Sequence, residues 1–249
     1  MKYNQNPPMK SKNPSNPRLV LLTCAATVLL AAARCEADVL LQYRMGVVTA
    51  QIQDAVNTAA GGAITTGTVG TFNINSSPAF ASSSGTPSML IAGGTGSTNL
   101  TEALANSSWF TFGLTVGSSV ADIDLTSLTF YATRAGTSID RGFALYVTTP
   151  TTTDQQVQGA TLVPTQSTTA PDFFNIDLSS FGSLQNLSAG QVVTFKIPVF
   201  TPLTSATIRI DDITVNGLVT PVPEPATVSL IGLGALVLFG VCRRRNAQK

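Results

Sequence analysis

The chain of 249 residues contains no histidine. That absence removes Ser-His-Asp and Cys-His nucleophilic catalysis and every imidazole metal site. The chemistry left is that of carboxylates, aromatic rings and a few cations. Asp122 and Asp124 stand two apart, so on a strand they face the same way, and Asp211 and Asp212 are adjacent. Oxygen-rich pairs of this kind are candidate Ca²⁺ ligands in an exported β protein. Aspartates at turns and strand edges also cap backbone groups and blunt edges without any ion, and Asp172 and Asp177, which flank a strand, read the same way. Paired carboxylates could serve a glycosidase, but such an enzyme needs a cleft with aromatic platforms, and most rings here fall at inward positions. No catalytic residue and no cofactor is therefore expected. Trp109, Tyr131 and Tyr146 lie out of phase with their inward neighbours and could stack on sugar rings; half-buried rings of an ordinary sandwich would show the same phase. Lys196, beside Pro198, reads as an edge or outer-face charge. Arg134 and Arg141 bracket a hairpin-like turn over 135–140 and read as a solvated pair, or as partners of Asp140.

The elements that must position these groups are strands. Phe110, Phe112, Leu114 and Val116 alternate with other residues, and so do Leu128, Phe130 and Ala132. The same period recurs in Phe143, Leu145 and Val147, in Phe174, Ile176 and Leu178, and in Val193, Phe195 and Ile197. Ile208 and Ile210 share one face, but Ile213 and Val215 restart in the opposite phase, which predicts a bulge or tight bend at Asp211-Asp212. Period-two runs separated by Gly, Pro, Asn and Asp loops, with no long amphipathic helix, predict an all-β antiparallel sandwich. Val39–Arg44 reads as a first strand. Residues 46–106 are biased toward Gly, Thr, Ser, Ala and Asn, with strand-like patches at 71–75 and 88–92 and one short helix fitting 51–60. Gly93–Ser97 lacks the Lys-Ser/Thr of a phosphate loop and reads as a turn.

The two ends differ from this middle. Lys2, Lys10, Lys12 and Arg18 precede an apolar run from Leu19 to Ala33, and small residues follow at Cys35 and Ala37. This is the pattern of a secretory signal peptide, 1–37, cut by signal peptidase after Ala37, with Ala33 as the alternative. Arg34 stands where a lipoprotein box on Cys35 would need a small residue. Residues 38–219 form the expected folded domain and 220–249 a tail. In that tail Ala226–Cys242 is apolar and uncharged, and Arg243, Arg244 and Arg245 follow it. As a helix the span is about 25 Å long, the lower limit for a hydrocarbon core about 30 Å thick. The triple arginine acts as a membrane stop on the cytoplasmic side, so everything before Pro223 faces outward. The cysteines, Cys24, Cys35 and Cys242, all lie in these ends, which leaves the middle without disulfide or thiol chemistry. Between Asp38 and Val222 five basic residues face eleven acidic ones, a net −6. Such a surface does not bind nucleic acid.

Val222-Pro223-Glu224-Pro225, a glycine-containing apolar span and a terminal arginine cluster together resemble the PEP-CTERM sorting domain of bacterial exported proteins. The resemblance implies recognition of Pro223, Glu224 and Pro225 by exosortase, a transient inner-membrane anchor, and final release to the cell surface or beyond. It also implies association with exopolysaccharide and biofilm matrix. The fragments 125–130, 140–143, 193–197 and 208–217 resemble the jelly-roll ectodomains common among such proteins. The resemblance thus implies a non-enzymatic surface or matrix protein, with a carbohydrate-binding module, Ca²⁺-dependent or not, as the alternative.

Overall fold

The computed structural model describes residues 38–43, 64, 73–75, 80–82, 90–92, 96–135, 139–166, 170–203 and 206–222. The chain divides into two units, Met1–Arg34 and Cys35–Lys249, and the described residues all lie in the second. Ala37, the helix expected at 51–60, Pro223–Pro225, the apolar span and Arg243–Arg245 fall outside them. No helix among the described residues is long and apolar enough to cross a membrane.

The described strands are β1 (Asp38–Tyr43), β2 (Asn73–Asn75), β3 (Phe80–Ser82), β4 (Leu90–Ala92), β5 (Trp109–Thr115), β6 (Val120–Ala135), β7 (Gly142–Thr148), β8 (Gln155–Leu162), β9 (Asp172–Asp177), β10 (Leu187–Ser188), β11 (Val192–Phe200) and β12 (Thr207–Pro221). They form two antiparallel sheets. The first runs β10-β6-β12-β4-β3, with β1 added to β12 and β9 to β6; the second runs β2-β5-β11-β7-β8. The alternation read from the sequence sets the inner faces. Phe110, Phe112, Leu114, Leu128, Phe130, Phe143, Leu145, Val147, Val193, Phe195, Ile197, Ile208 and Ile210 are all buried in one core. Rings from the two sheets meet edge to face across it. Tyr43 of β1 lies 5.3 Å from Phe112 of β5, and Phe130 of β6 lies 4.9 Å from Phe143 of β7. Phe143 also meets Phe174 of β9 at 4.9 Å. Each fully buried side chain of this size contributes roughly 1.5–3 kcal/mol, so the face-to-face packing of a β-sandwich holds the domain without disulfides.

The phase slip in β12 is real. Its pairing with β6 shifts between Asp211 and Thr214, and Asp212 takes φ 49°. The bulge returns Ile213 and Val215 to the core after Ile210. Close approach also fixes Gly217: a Cβ there would sit 2.7 Å from the Asp124 carbonyl oxygen and 2.6 Å from Leu40 Cδ1. The short helix Leu100–Ala105 falls inside the region of biased composition. Asn99 Oδ1 accepts from the Glu102 N–H at 3.0 Å, and Glu102 Oε2 accepts from the Thr98 N–H at 2.6 Å. This is reciprocal capping of the kind that starts helices. The two ends of the domain lie together, since Asp38 of β1 pairs with Gly217 of β12. Strand β12 continues to Pro221, past the domain boundary at 219 that composition implied.

Candidate ligand-binding face

Strand β11 is the middle strand of the five-stranded sheet, with β5 on one side and β7 on the other. Its inward residues Val193, Phe195 and Ile197 send Thr194 and Lys196 to the outer face. Lys196 pairs in register with Thr111 of β5 and with Tyr146 of β7, and Trp109 pairs with Pro198 two residues on. Gln156 of β8 stands opposite Tyr146 and extends the row. Four adjacent strands therefore present Trp109, Lys196, Tyr146 and Gln156 across one surface, over roughly 14 Å at about 4.8 Å per strand. The Lys196 ammonium lies 5.2 Å from the Trp109 ring centroid and 5.5 Å from that of Tyr146, both within cation–π range.

The ammonium also forms an ion pair, Nζ to Asp154 Oδ2 at 2.6 Å, with 16% of the lysine side chain and 53% of the aspartate side chain exposed. Asp154 belongs to the tight β7–β8 turn. There the Thr149 hydroxyl accepts from the N–H groups of Thr151 and Thr152 at 3.2 Å each, and the Asp154 N–H donates to Thr148 Oγ1 at 3.1 Å. Asp154 has φ 49°, a left-handed conformation in which aspartate is tolerated better than most residues. Burial, and then the Asp154 charge, push the Tyr146 phenol above its ordinary value. Its hydroxyl thus stays protonated and able to donate at neutral pH. Two ring faces, a half-buried ammonium and a row of hydroxyl and amide groups suit a flat polar ligand with apolar C–H faces.

The three candidate stacking rings do not share one surface. Trp109 and Tyr146 share this surface, whereas Tyr131 lies on β6 in the other sheet. There it packs on Phe173 of β9, centroids 5.2 Å apart. Lys196 is on an outer face, as the alternation implies, but on a central strand rather than an edge. The cation flanked by rings and its Asp154 partner carry the arrangement on this face and were not legible as a set. The only local signal is that Lys196, Trp109 and Tyr146 lie out of phase with their inward neighbours, and Asp154, in a turn, gives none.

Arg141 corrects the solvated-pair expectation. It is fully buried. Its Nε donates to the Ile139 carbonyl at 3.1 Å, and Nη1 donates to the carbonyls of Thr207 at 2.9 Å and of Ala135. It thereby joins the start of β7 to the ends of β6 and β12, that is, one sheet to the other. Burial, followed by repulsion from Arg134, lowers its pKa from the usual arginine value. Gly142 follows because no side chain fits there: a Cβ would overlap the Thr161 carbonyl and lie 2.6 Å from Phe200 Cζ.

The four aspartates offered as Ca²⁺ ligands do not converge. Asp124 pairs with Leu218 and Asp211 with Tyr131 along the β6–β12 ladder, so the two pairs stand roughly 23 Å apart at about 3.3 Å per residue. Asp124 Oδ1 instead accepts from the Asn186 N–H at 2.6 Å, and Asp211 Oδ1 from the Asp212 N–H at 2.8 Å. Asp172 accepts from the Thr165 N–H and Asp177 from the Ser179 N–H. Among the described residues no group of three acidic or thiol side chains could hold a metal ion.

Residues 221–245 match the PEP-CTERM protein-sorting motif. The chain carries a PEP-CTERM sorting tail. Such a tail indicates an exported protein sorted to the cell envelope and implies processing by exosortase. The PEP-CTERM match begins at Pro221, the last residue of β12, so the sorting motif starts where the sheet ends. No curated protein matches the sequence. Among solved structures, the CBM22-1 xylan-binding domain from Paenibacillus barcinonensis Xyn10C is 14% identical, aligning over 75% of this chain and 97% of its own with a TM-score of 0.33. A carbohydrate-binding module, CBM28, specific for non-crystalline cellulose is 9% identical over 55% of this chain and 79% of its own, with a TM-score of 0.32. At these scores neither defines what this chain binds.

Proposed function

We propose that this is a non-enzymatic exported protein of the cell surface or extracellular matrix, and that its five-stranded face holds a glycan. The observation that carries the reading is the placement of Lys196 between Trp109 and Tyr146 on an outer sheet face. Sugar rings present apolar C–H faces to aromatic rings and hydroxyls to donors, and this surface offers both. The carboxylate nearest the rings, Asp154, is occupied by Lys196, which suits binding rather than glycosidic cleavage by a free acid and base. In this reading residues 1–37 direct export, 226–242 anchor the precursor in the inner membrane, and exosortase reads Pro223, Glu224 and Pro225. The sandwich, of jelly-roll type, is then delivered to the exopolysaccharide of a biofilm and acts without a cofactor.

The test is retention of the purified full chain on exopolysaccharide isolated from the cells that export it, with and without a chelator. The wild-type chain is retained in both conditions, and Trp109→Ala weakens retention about tenfold, roughly 1.4 kcal/mol. Equal retention of Trp109→Ala and wild type would refute the face. Loss of retention with chelator alone would favour Ca²⁺-dependent binding elsewhere.

A further inference from the structure

The outer face of the other sheet carries a second aromatic site. Tyr131 of β6 and Phe173 of β9 are paired in register, with ring centroids 5.2 Å apart and planes tilted by 51°. They are 39% and 56% exposed. Alternation makes Phe173 the outward partner of Phe174, whose ring packs into the core against Phe130 and Phe143. A threonine at 173 would serve the strand as well, so core packing does not call for this ring. Continuing along the same ladder, the outward pairs are Thr129 with Asn175 and Ser127 with Asp177. The strip thus begins with two rings and becomes amide, hydroxyl and carboxylate over roughly 13 Å, at about 3.3 Å per residue.

That pattern decides the occupant. A stable protein partner needs about 20–30 residues a side around an apolar centre, and here the apolar part is two rings. Rings followed by hydrogen-bonding groups fit an extended, hydroxyl-rich chain. The two sheets pack about 10 Å apart, so ligands on their outer faces lie on opposite sides of the molecule and do not compete. We propose that Tyr131 and Phe173 form a second glycan platform, and that one molecule therefore bridges two polysaccharide chains. The proposal rests on the glycan reading of the five-stranded face and adds valency to it.

Bridging and binding are read separately. The full chain is mixed with exopolysaccharide isolated from the exporting cells; retention on the immobilised polymer reports binding, and low-shear viscosity of the solution reports cross-linking. Trp109→Ala, Phe173→Ala and the double variant are compared, with circular dichroism as the check on folding. Wild type raises the viscosity, and a large excess of protein lowers it again as each chain is covered singly. Each single variant is still retained, about tenfold more weakly, but leaves the viscosity at that of the polymer alone. The double variant is not retained. Phe173→Ala that thickens the solution like wild type overturns the second platform while the first stands; Tyr131→Ala provides the same readout should Phe173→Ala misfold. A wild-type chain that is not retained at all overturns both readings.

Discussion

Arg141 and Lys196 are both cations on or beside the five-stranded sheet, and they are used in opposite ways. Arg141 is wholly buried and gives its donors to backbone carbonyls at strand ends of the two sheets. Lys196 keeps part of its side chain in solvent, faces two rings and holds one exposed carboxylate. A planar guanidinium can satisfy several carbonyls from one position and resists losing its proton, so it suits a joint. An ammonium on a flexible stem can exchange one partner for another. The first cation belongs to the fold, and in the proposed reading the second serves a ligand.

The largest expected effect comes from breaking the buried member. Arg141→Met removes a charged donor from the carbonyls of Ile139, Ala135 and Thr207, of which Ala135 keeps only a long bond from Thr207 Oγ1 at 3.4 Å. An unsatisfied buried polar group costs about 1–3 kcal/mol, so a loss of about 3 kcal/mol or more is expected. For a domain of this size that corresponds to a melting temperature lower by roughly 6–12 °C. Arg141→Lys recovers little, because one ammonium cannot span the same carbonyls. Urea titration measures it, and a change under about 1 kcal/mol would mean that the joint is dispensable.

The exposed member should give the inverse result. Lys196→Met keeps the stem that covers the sheet and removes only the charge. Unfolding should move by less than about 1 kcal/mol, while affinity for the polysaccharide falls about tenfold. If stability falls and binding does not, Lys196 is a second structural cation and the contrast with Arg141 fails.

These two residues also mark what local sequence can and cannot tell. The inward faces of β5, β6, β7, β9 and β11 were legible, because a period of two is a property of neighbouring residues; the burial of outward-phase Thr133 and Ala144 was not. The slip at Asp211-Asp212 was visible for the same reason. Arg141 sits between Asp140 and Gly142, a context that reads as a solvated turn. Its burial comes from Thr207, 66 residues away, which no local pattern announces. Lys196 was legible as outward-facing, but its central position depends on β5 and β7 closing on either side, a matter of strand order. The same limit separates Tyr131 from Trp109 and Tyr146, since phase gives the face of a strand and not the sheet to which it belongs. The helix at Leu100–Ala105 is a different kind of miss. Its Asn99-x-x-Glu102 start signal was present in the sequence, hidden in a stretch whose composition reads as irregular.

The smallest expected effect tests whether the ion pair or the rings hold Lys196 in place. Asp154→Asn keeps the turn, because the bond from its N–H to Thr148 Oγ1 does not involve the carboxylate, and asparagine tolerates the left-handed backbone at that position. The substitution therefore isolates the charge. A pair with one partner half in solvent contributes about 0–1 kcal/mol, so the urea midpoint should shift by no more than that at low salt. The shift should vanish near 1 M salt, where the screening length is about 3 Å. If the rings suffice to hold the ammonium, Asp154→Asn binds polysaccharide at least as well as wild type, since a donor has been freed. If binding falls as far as in Lys196→Met, the carboxylate positions the lysine, and the site is a preformed ion pair on an aromatic floor. A stability loss as large as that of Arg141→Met would instead make the exposed pair part of the frame and erase the distinction between the two cations.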